Sequence, residues 1–497
     1  MGIESLGISY RAILPEIILA LTGIVLMLVE AFAPGRGKVR AGVITLVGLA
    51  AAMWATLRLW GQPPQTAFAY MVIVDGFRVL FTLIVIMAVM ISVFLSWNFL
   101  DEERIEPTEY FALMMFCAVG MTLLTASRDL IMVFLGIETV TISTYVLAGF
   151  RRDDVRSTEA ALKYFILGAF SSAFLLYGIA LVYGATHTTN LAGIQAVLSR
   201  LMNDPERALM LAGAAMLLVG FGFKVTAVPF HIWTPDVYEG APTPVTAFLS
   251  AGPKTAGFAA FLRVFTLTFG TEFGADSAGR ILQADWMSAL AAMAILTMTF
   301  GNLIAITQTN IKRMLAYSSI AHAGYVLLGI VSHDWRAVAF YMLAYTVMNL
   351  GAFAVVALIA RRQDEKVLIE DYNGLGFRQP GLSFPLTVFL ISLTGMPGTA
   401  GFVGKFWLFK SAWEAGFKVL VIAAVINTVV AAYYYLYVVI VMFFREPKKE
   451  IERVPLPGVF ALTLAVTVVG TFYLGLLPTR VFQLLSDAQT ALISLAR

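Results

Sequence analysis

The chain has 497 residues, of which 59% are hydrophobic and only 13% charged, with a formal net charge of +3. A soluble protein carries about a quarter charged residues, so this chain could not cover a water-facing surface. Its small positive excess is confined to short loops and points to no nucleic-acid partner. The one cysteine, Cys117, can neither close an intrachain disulfide nor hold an iron–sulfur cluster.

In a bilayer each backbone polar group must be satisfied within its own segment or barrel. Apolar runs of about 20 residues without alternation decide for helices, and no strands are expected. The first run, from Ile13 to about Phe32, lacks the flanks of a signal peptide and is expected to remain as a span. The predicted fold class is an all-α polytopic membrane protein with about 14 transmembrane helices. In chain order the spans cover 12–33, 40–60, 77–97, 109–127, 129–149, 159–185, 208–230, 243–268, 286–307, 314–332, 335–360, 383–412, 417–444 and 456–477. Only Ser127, Arg128 and Asp129 separate the fourth from the fifth.

Loops after odd-numbered spans carry most of the positive charge: Arg36, Lys38 and Arg40, then Arg104, then Arg151, Arg152 and Arg156. Further on come Lys312 and Arg313, then Arg361, Arg362, Lys366 and Arg378, and last Arg445, Lys448, Lys449 and Arg453. The other loops hold mostly single arginines such as Arg128, Arg280 and Arg336. The positive-inside rule places the odd loops in the cytoplasm and both termini outside. The acidic stretch from Asp101 to Glu109 reads as a solvated cytoplasmic loop.

Two spans contain helix-breaking sequence. The seventh carries Gly220, Gly222, Lys224 and Pro229; the twelfth carries Gly395, Pro397, Gly398, Gly401, Gly404 and Lys405. Proline removes a backbone donor and glycine loosens the helix, and at membrane depth the freed carbonyls must meet protein or water. Each break lies in the fourth member of a five-span block, spans 4–8 and 9–13. Because five is odd, the blocks form two inverted five-helix repeats, whose matched broken helices point to a transport pathway. The resulting divisions are a three-helix segment (1–108), a first half-channel (109–268), a second (269–444) and a C-terminal helix (445–497).

Charge at membrane depth is expensive and needs a reason. Glu138, Lys224, Lys254 and Lys405 lie within spans, Lys163 nearer a cytoplasmic end, and His322 inside the tenth span. Buried lysine can release its proton whereas arginine stays charged, so several bases with one acid suit a proton relay. Pairing of Glu138 with Lys224 or Lys163 would hold the lysine protonated until the pairing is lost. Other readings stay open. Lys163 can snorkel to the interface, His322 can be a neutral histidine satisfied by Ser318 or Ser319, and the rest can form structural ion pairs. Tyr433, Tyr434, Tyr435 and Tyr437 read as packing residues.

The stretch from Lys224 to Val245, with Pro229, His231, Trp233, Asp236 and Glu239, is similar to the signature of the antiporter-like subunits of respiratory complex I and of multi-subunit cation/proton antiporters. Ser250–Thr255, Ile311–His322 and Gly395–Lys405 extend the resemblance over nearly the whole chain. The chain looks most like the N-type subunits. It has Val237–Gly240 and Leu162–Ser172 in N-like form and Lys405 where the M type usually has glutamate. It also ends soon after the fourteenth span, without the long lateral helix of the L type.

The resemblance implies a proton-translocating subunit with no cofactor of its own. NADH, FMN, iron–sulfur clusters and quinone would belong to partner subunits. It implies M-type, L-type and small A/J/K-type membrane-arm partners, and the bacterial inner membrane as location. Glu138 and Lys224 would be the acid–base pair of the first half-channel, Lys254 and His322 would lie on a hydrated axis, Lys405 would end the second half-channel, and Lys163 would be a relay or modulator.

Overall fold

The computed structural model describes residues 9–32, 37–103, 105–198, 206–268, 277–360, 366–447 and 454–493. Helices α1 (Leu14–Phe32) and α2 (Gly37–Leu57) lead to a small antiparallel hairpin, β1 (Gln65–Ala67) and β2 (Val72–Val74). This hairpin corrects the expectation of no strands; its three-residue segments are too short to carry a periodicity signal. Next come α3 (Gly76–Glu102), α4 (Pro107–Ala126), α5 (Leu130–Ala148), α6 (Val155–Thr186) and a short α7 (Leu191–Leu198).

The narrow gap between α4 and α5 is real. Ser127 bridges to Val72, and Asp129 caps α5 by accepting from the Ile131 amide at 2.8 Å. Asp154 caps α6 in the same way, accepting from the Arg156 amide at 2.9 Å.

The seventh span is α8 (Glu206–Val225), followed by a turn holding Pro229 and, beyond the span, the short α9 (Thr234–Gly240). Then follow α10 (Thr243–Leu262), a π-helical turn over Arg263–Thr268, α11 (Ser277–Ile306), α12 (Ile311–Val331) and α13 (Trp335–Ala360). After the short α14 (Leu375–Arg378), the twelfth span is split into α15 (Pro380–Thr394) and α16 (Ala400–Glu414). Last come α17 (Lys418–Phe444), α18 (Gly458–Leu476) and α19 (Thr479–Ile493).

Among the described residues, twelve helices are long and apolar enough to cross a membrane. The expected count of about fourteen exceeds this by α10 and the split α15–α16 span. Each falls short for a physical reason. Every residue of α10 is buried, so it packs small and polar side chains against protein instead of apolar ones against lipid. Splitting leaves α15 and α16 with 15 residues each, below the roughly 20 a span needs. α10 sits at the centre, against α3, α4, α8 and α13, and α13 in turn packs on α15, α16 and α18.

The final helix, α19, was not among the expected spans. It folds back onto α3 and α13. Gly76 permits this approach, since a Cβ there would lie 2.6 Å from the Ala488 Cα.

A buried chain of four charges ties the N-terminal helices to the first half. Glu16 accepts from Arg78 Nη2 at 2.8 and 3.0 Å. Asp75 takes the Arg78 amide at 2.7 Å and the Arg263 guanidinium at 2.8 and 3.0 Å. Near the odd loops, the acidic stretch departs from a simply solvated loop, since Glu103 is buried against Arg151 at 3.1 Å.

Candidate functional site

Both expected breaks are present, and each has a lysine at its edge. α8 stops at Val225, one residue after Lys224, and Thr226 follows with φ +65°. Pro229 lies in the turn beyond, where it can donate no hydrogen bond. α15 stops at Thr394, and Pro397 lies between Gly395 and Gly398, whose φ values of +92° and +86° favour glycine. The start of α16 then approaches so closely that a Cβ on Gly401 would fall 1.8 Å from the Ser392 carbonyl oxygen.

Lys224 is buried and donates to Thr141 Oγ1 of α5 at 3.0 Å. Glu138, one turn earlier on α5, accepts instead from Ser172 Oγ of α6. The expected ion pairs of Glu138 with Lys224 or Lys163 are therefore corrected: each partner is satisfied elsewhere. Beside Lys224 lies a cavity of about 10 Å³, lined by Thr141, Ser171 and Ser172 among others. That is about the room of one water molecule.

Lys163 stands on the exposed side of α6, 44% accessible, paired with Glu159 at 2.8 Å and Asp236 at 2.9 Å. Asp236 also binds Arg313 at 2.8 Å, and Arg313 binds Glu239 at 2.7 Å. Burial pushes the Asp236 carboxyl up, but Lys163 and Arg313 outweigh it and hold the group below the usual carboxylate range. These charges join α6, α9 and α12 at one face; the sequence placed Arg313 in a cytoplasmic loop and Asp236 and Glu239 in the signature stretch, without joining them to Lys163.

Lys254 lies at the centre of α10 with no carboxylate partner among the described residues. Its ammonium donates to Thr226 Oγ1 at 2.9 Å and to Ser319 of α12, at 2.8 Å to the carbonyl and 2.6 Å to the hydroxyl. Lys254 thus reaches from the first break into the second half. One turn before it, Ser250 Oγ accepts from Asn349 Nδ2 at 2.6 Å. Asn349 Oδ1 and Thr346 Oγ1 are buried without a partner among the described residues, the condition under which proteins hold ordered water.

His322 is not satisfied by Ser318 or Ser319, as one open reading had it. Its Nδ1 is bonded to the Tyr341 hydroxyl and its Nε2 to the Tyr435 hydroxyl at 3.0 Å. Tyr435 also bonds Ser318 Oγ, so one member of the tyrosine run joins the polar network rather than only packing.

Lys405 donates to the Leu393 and Thr394 carbonyls at 2.9 and 3.1 Å, and lies 4.6 Å from the centre of the Tyr325 ring. Those carbonyls end α15 and have no partner in their own helix, so a cation is favoured there. Thr141, Ser172 and Tyr341 were given no role from the sequence, Ser319 was read as a partner of His322 and Tyr435 as packing. They are ordinary helix residues whose role depends on partners far along the chain.

Buried bases at two helix breaks define the class, a polytopic membrane protein built like a secondary transporter. The family described as NADH:quinone oxidoreductase/Mrp antiporter, TM, matches residues 127–431, and the chain belongs to that family. The NADH-quinone oxidoreductase subunit N of Trichlorobacter lovleyi is 43% identical over 484 residues, covering 97% of each chain. A chain of respiratory complex I from Thermus thermophilus with bound aureothin has TM-score 0.78 and 35% identity, over 94% of this chain and 97% of that one. A chain of the membrane-bound sulfane sulfur reductase, an archaeal respiratory membrane complex, has TM-score 0.85 and 27% identity, over 97% and 98%.

Proposed function

We propose that the chain translocates protons as a membrane-arm subunit of NADH:quinone oxidoreductase, driven by NADH oxidation and quinone reduction in other subunits. The N-type relatives support this placement over other complexes of the family. The observation that carries the reading is how the buried lysines are held. Among the described residues, Lys224, Lys254 and Lys405 hydrogen-bond only to neutral oxygens: hydroxyls of Thr141, Thr226 and Ser319, and carbonyls of Ser319, Leu393 and Thr394. A lysine so held can gain or lose a proton without breaking an ion pair, whereas stripping one partner from a buried pair strands a charge.

The first half-channel runs over Glu138 and Lys224, and Ser172, which bonds Glu138, lines the small cavity beside Lys224. Lys254 links it to the second half, where His322 and Lys405 continue. Lys163 modulates from the cytoplasmic end of its span, through Asp236 on α9. The two halves are the inverted five-span blocks, 109–268 and 269–444. The chain lies in the bacterial plasma membrane with both termini outside, against M-type, L-type and A/J/K-type neighbours. NADH, FMN, iron–sulfur clusters and quinone belong to further subunits of the complex, in which the redox chemistry takes place.

In reconstituted complex, Lys224→Ala and Glu138→Ala are expected to lower NADH-driven pumping while assembly persists. Assembled variants that pump at the wild-type rate would remove the reading.

A further inference from the structure

Both ring nitrogens of His322 are taken by tyrosine hydroxyls, an arrangement no part of the sequence reading used. Tyr435 of α17 holds Nε2, and Tyr341 of α13 holds Nδ1. The two sides of the ring look toward different neighbours. Tyr435 continues to Ser318, the residue before Ser319, which accepts from Lys254. Tyr341 packs on Gly404, where a Cβ would meet its ring at 2.8 Å, and the next residue is Lys405. All of these side chains are buried, including Tyr341 and Tyr435.

We infer that Tyr435 and Tyr341 are proton carriers on the two sides of His322, completing the path from Lys254 to Lys405; this rests on the proton-translocation reading. A neutral imidazole has one N–H and one lone pair, and a tyrosine hydroxyl both donates and accepts. One tyrosine therefore donates to the ring and the other accepts from it. In one passage the Tyr435 O–H bond breaks as an N–H bond forms at Nε2, and Tyr435 regains a proton from the Ser318 side. The N–H bond at Nδ1 breaks as an O–H bond forms on Tyr341, which releases its former proton toward Lys405. Each hydroxyl loses one proton and gains one, so no phenolate accumulates. The ring is left in its other tautomer, and reorientation of the hydroxyls resets it.

The test uses whole complex in proteoliposomes, with Tyr435→Phe and Tyr341→Phe, Tyr433→Phe as an exposed control, and Lys254→Ala alongside. Each inner variant keeps the ring and removes only the hydroxyl. Both are expected to assemble and to lose about a hundredfold in pumping rate, the lower end of the range for a missing proton-transfer group. Uncoupled electron transfer should fall much less, a split that a merely structural tyrosine would not produce. If a phenylalanine variant does not assemble, 3-fluorotyrosine at that position keeps the hydroxyl and changes its acidity; a changed pumping rate supports the assignment and an unchanged one overturns it. Normal pumping in both phenylalanine variants with Lys254→Ala impaired overturns the tyrosine relay alone. Normal pumping in all three overturns the underlying reading with it.

Discussion

Replacing Asp75 by leucine is expected to destabilise the chain far more than replacing Asp75 and Arg263 together. Asp75 holds Arg263 through two hydrogen bonds of 2.8 and 3.0 Å, and the two side chains are 0% and 2% exposed. With the carboxylate gone, the guanidinium keeps the Thr125 carbonyl at 2.9 Å and the Phe77 ring at 4.3 Å, but no counter-charge from Asp75. Breaking a buried pair on one side costs about 3–5 kcal/mol, whereas exchanging both partners for apolar residues is often neutral. Loss of the contact to the Arg78 amide, which caps the start of α3, adds about 1 kcal/mol. The assay is a heating series on detergent-extracted complex, following release of this chain on native gels. Asp75→Leu should release it at a clearly lower temperature, and Asp75→Leu with Arg263→Met should recover most of the loss. Equal behaviour of Asp75→Leu and wild type would refute the argument that this charge chain anchors α3 to the end of α10.

Three other outcomes follow from the site. Gly401→Ala should cost assembly, because its Cβ would fall 1.8 Å from a backbone oxygen, while Gly184→Ala, with nothing within 4 Å, should not; complex yield reads both. Glu138→Gln keeps a group able to accept from Ser172 but abolishes the charge, so pumping should fall while assembly holds; a wild-type rate would make Glu138 a structural acid. Asp236 binds its proton less readily in the folded chain than in the unfolded one, so it stabilises the fold at neutral pH and loses that contribution as pH falls through its depressed folded value. Thermal release measured between neutral pH and pH about 3 should therefore depend on pH less steeply in Asp236→Asn than in wild type.

How much was legible in the sequence depended on how local the signal was. The breaks at Pro229 and Pro397 were readable because proline and glycine act on their own turn of helix. Lys254 was recognisable as buried, but its partners Thr226 and Ser319 lie 28 and 65 positions away, and nothing local marks them. The expected pairing of Glu138 failed for the same reason. A carboxylate's reach is decided by which helix lies beside it, and that helix is α6, bringing Ser172. Tyr435 sits in a run that reads as packing, and only the juxtaposition of α17 and α12 gives its hydroxyl a second use. α10 was legible as the span over 243–268 although its surroundings are protein on every side, whereas α19 was missed because a helix lying against others need not be apolar all round.

The central claim is that protons pass through this chain. Its most direct test is the proton-to-electron ratio of complex reconstituted in liposomes with Lys405→Met, whose apolar side chain fills much of the same space without a titratable group. With assembly verified, the account predicts a lower ratio than wild type during NADH oxidation. An assembled Lys405→Met complex with the wild-type ratio would contradict it.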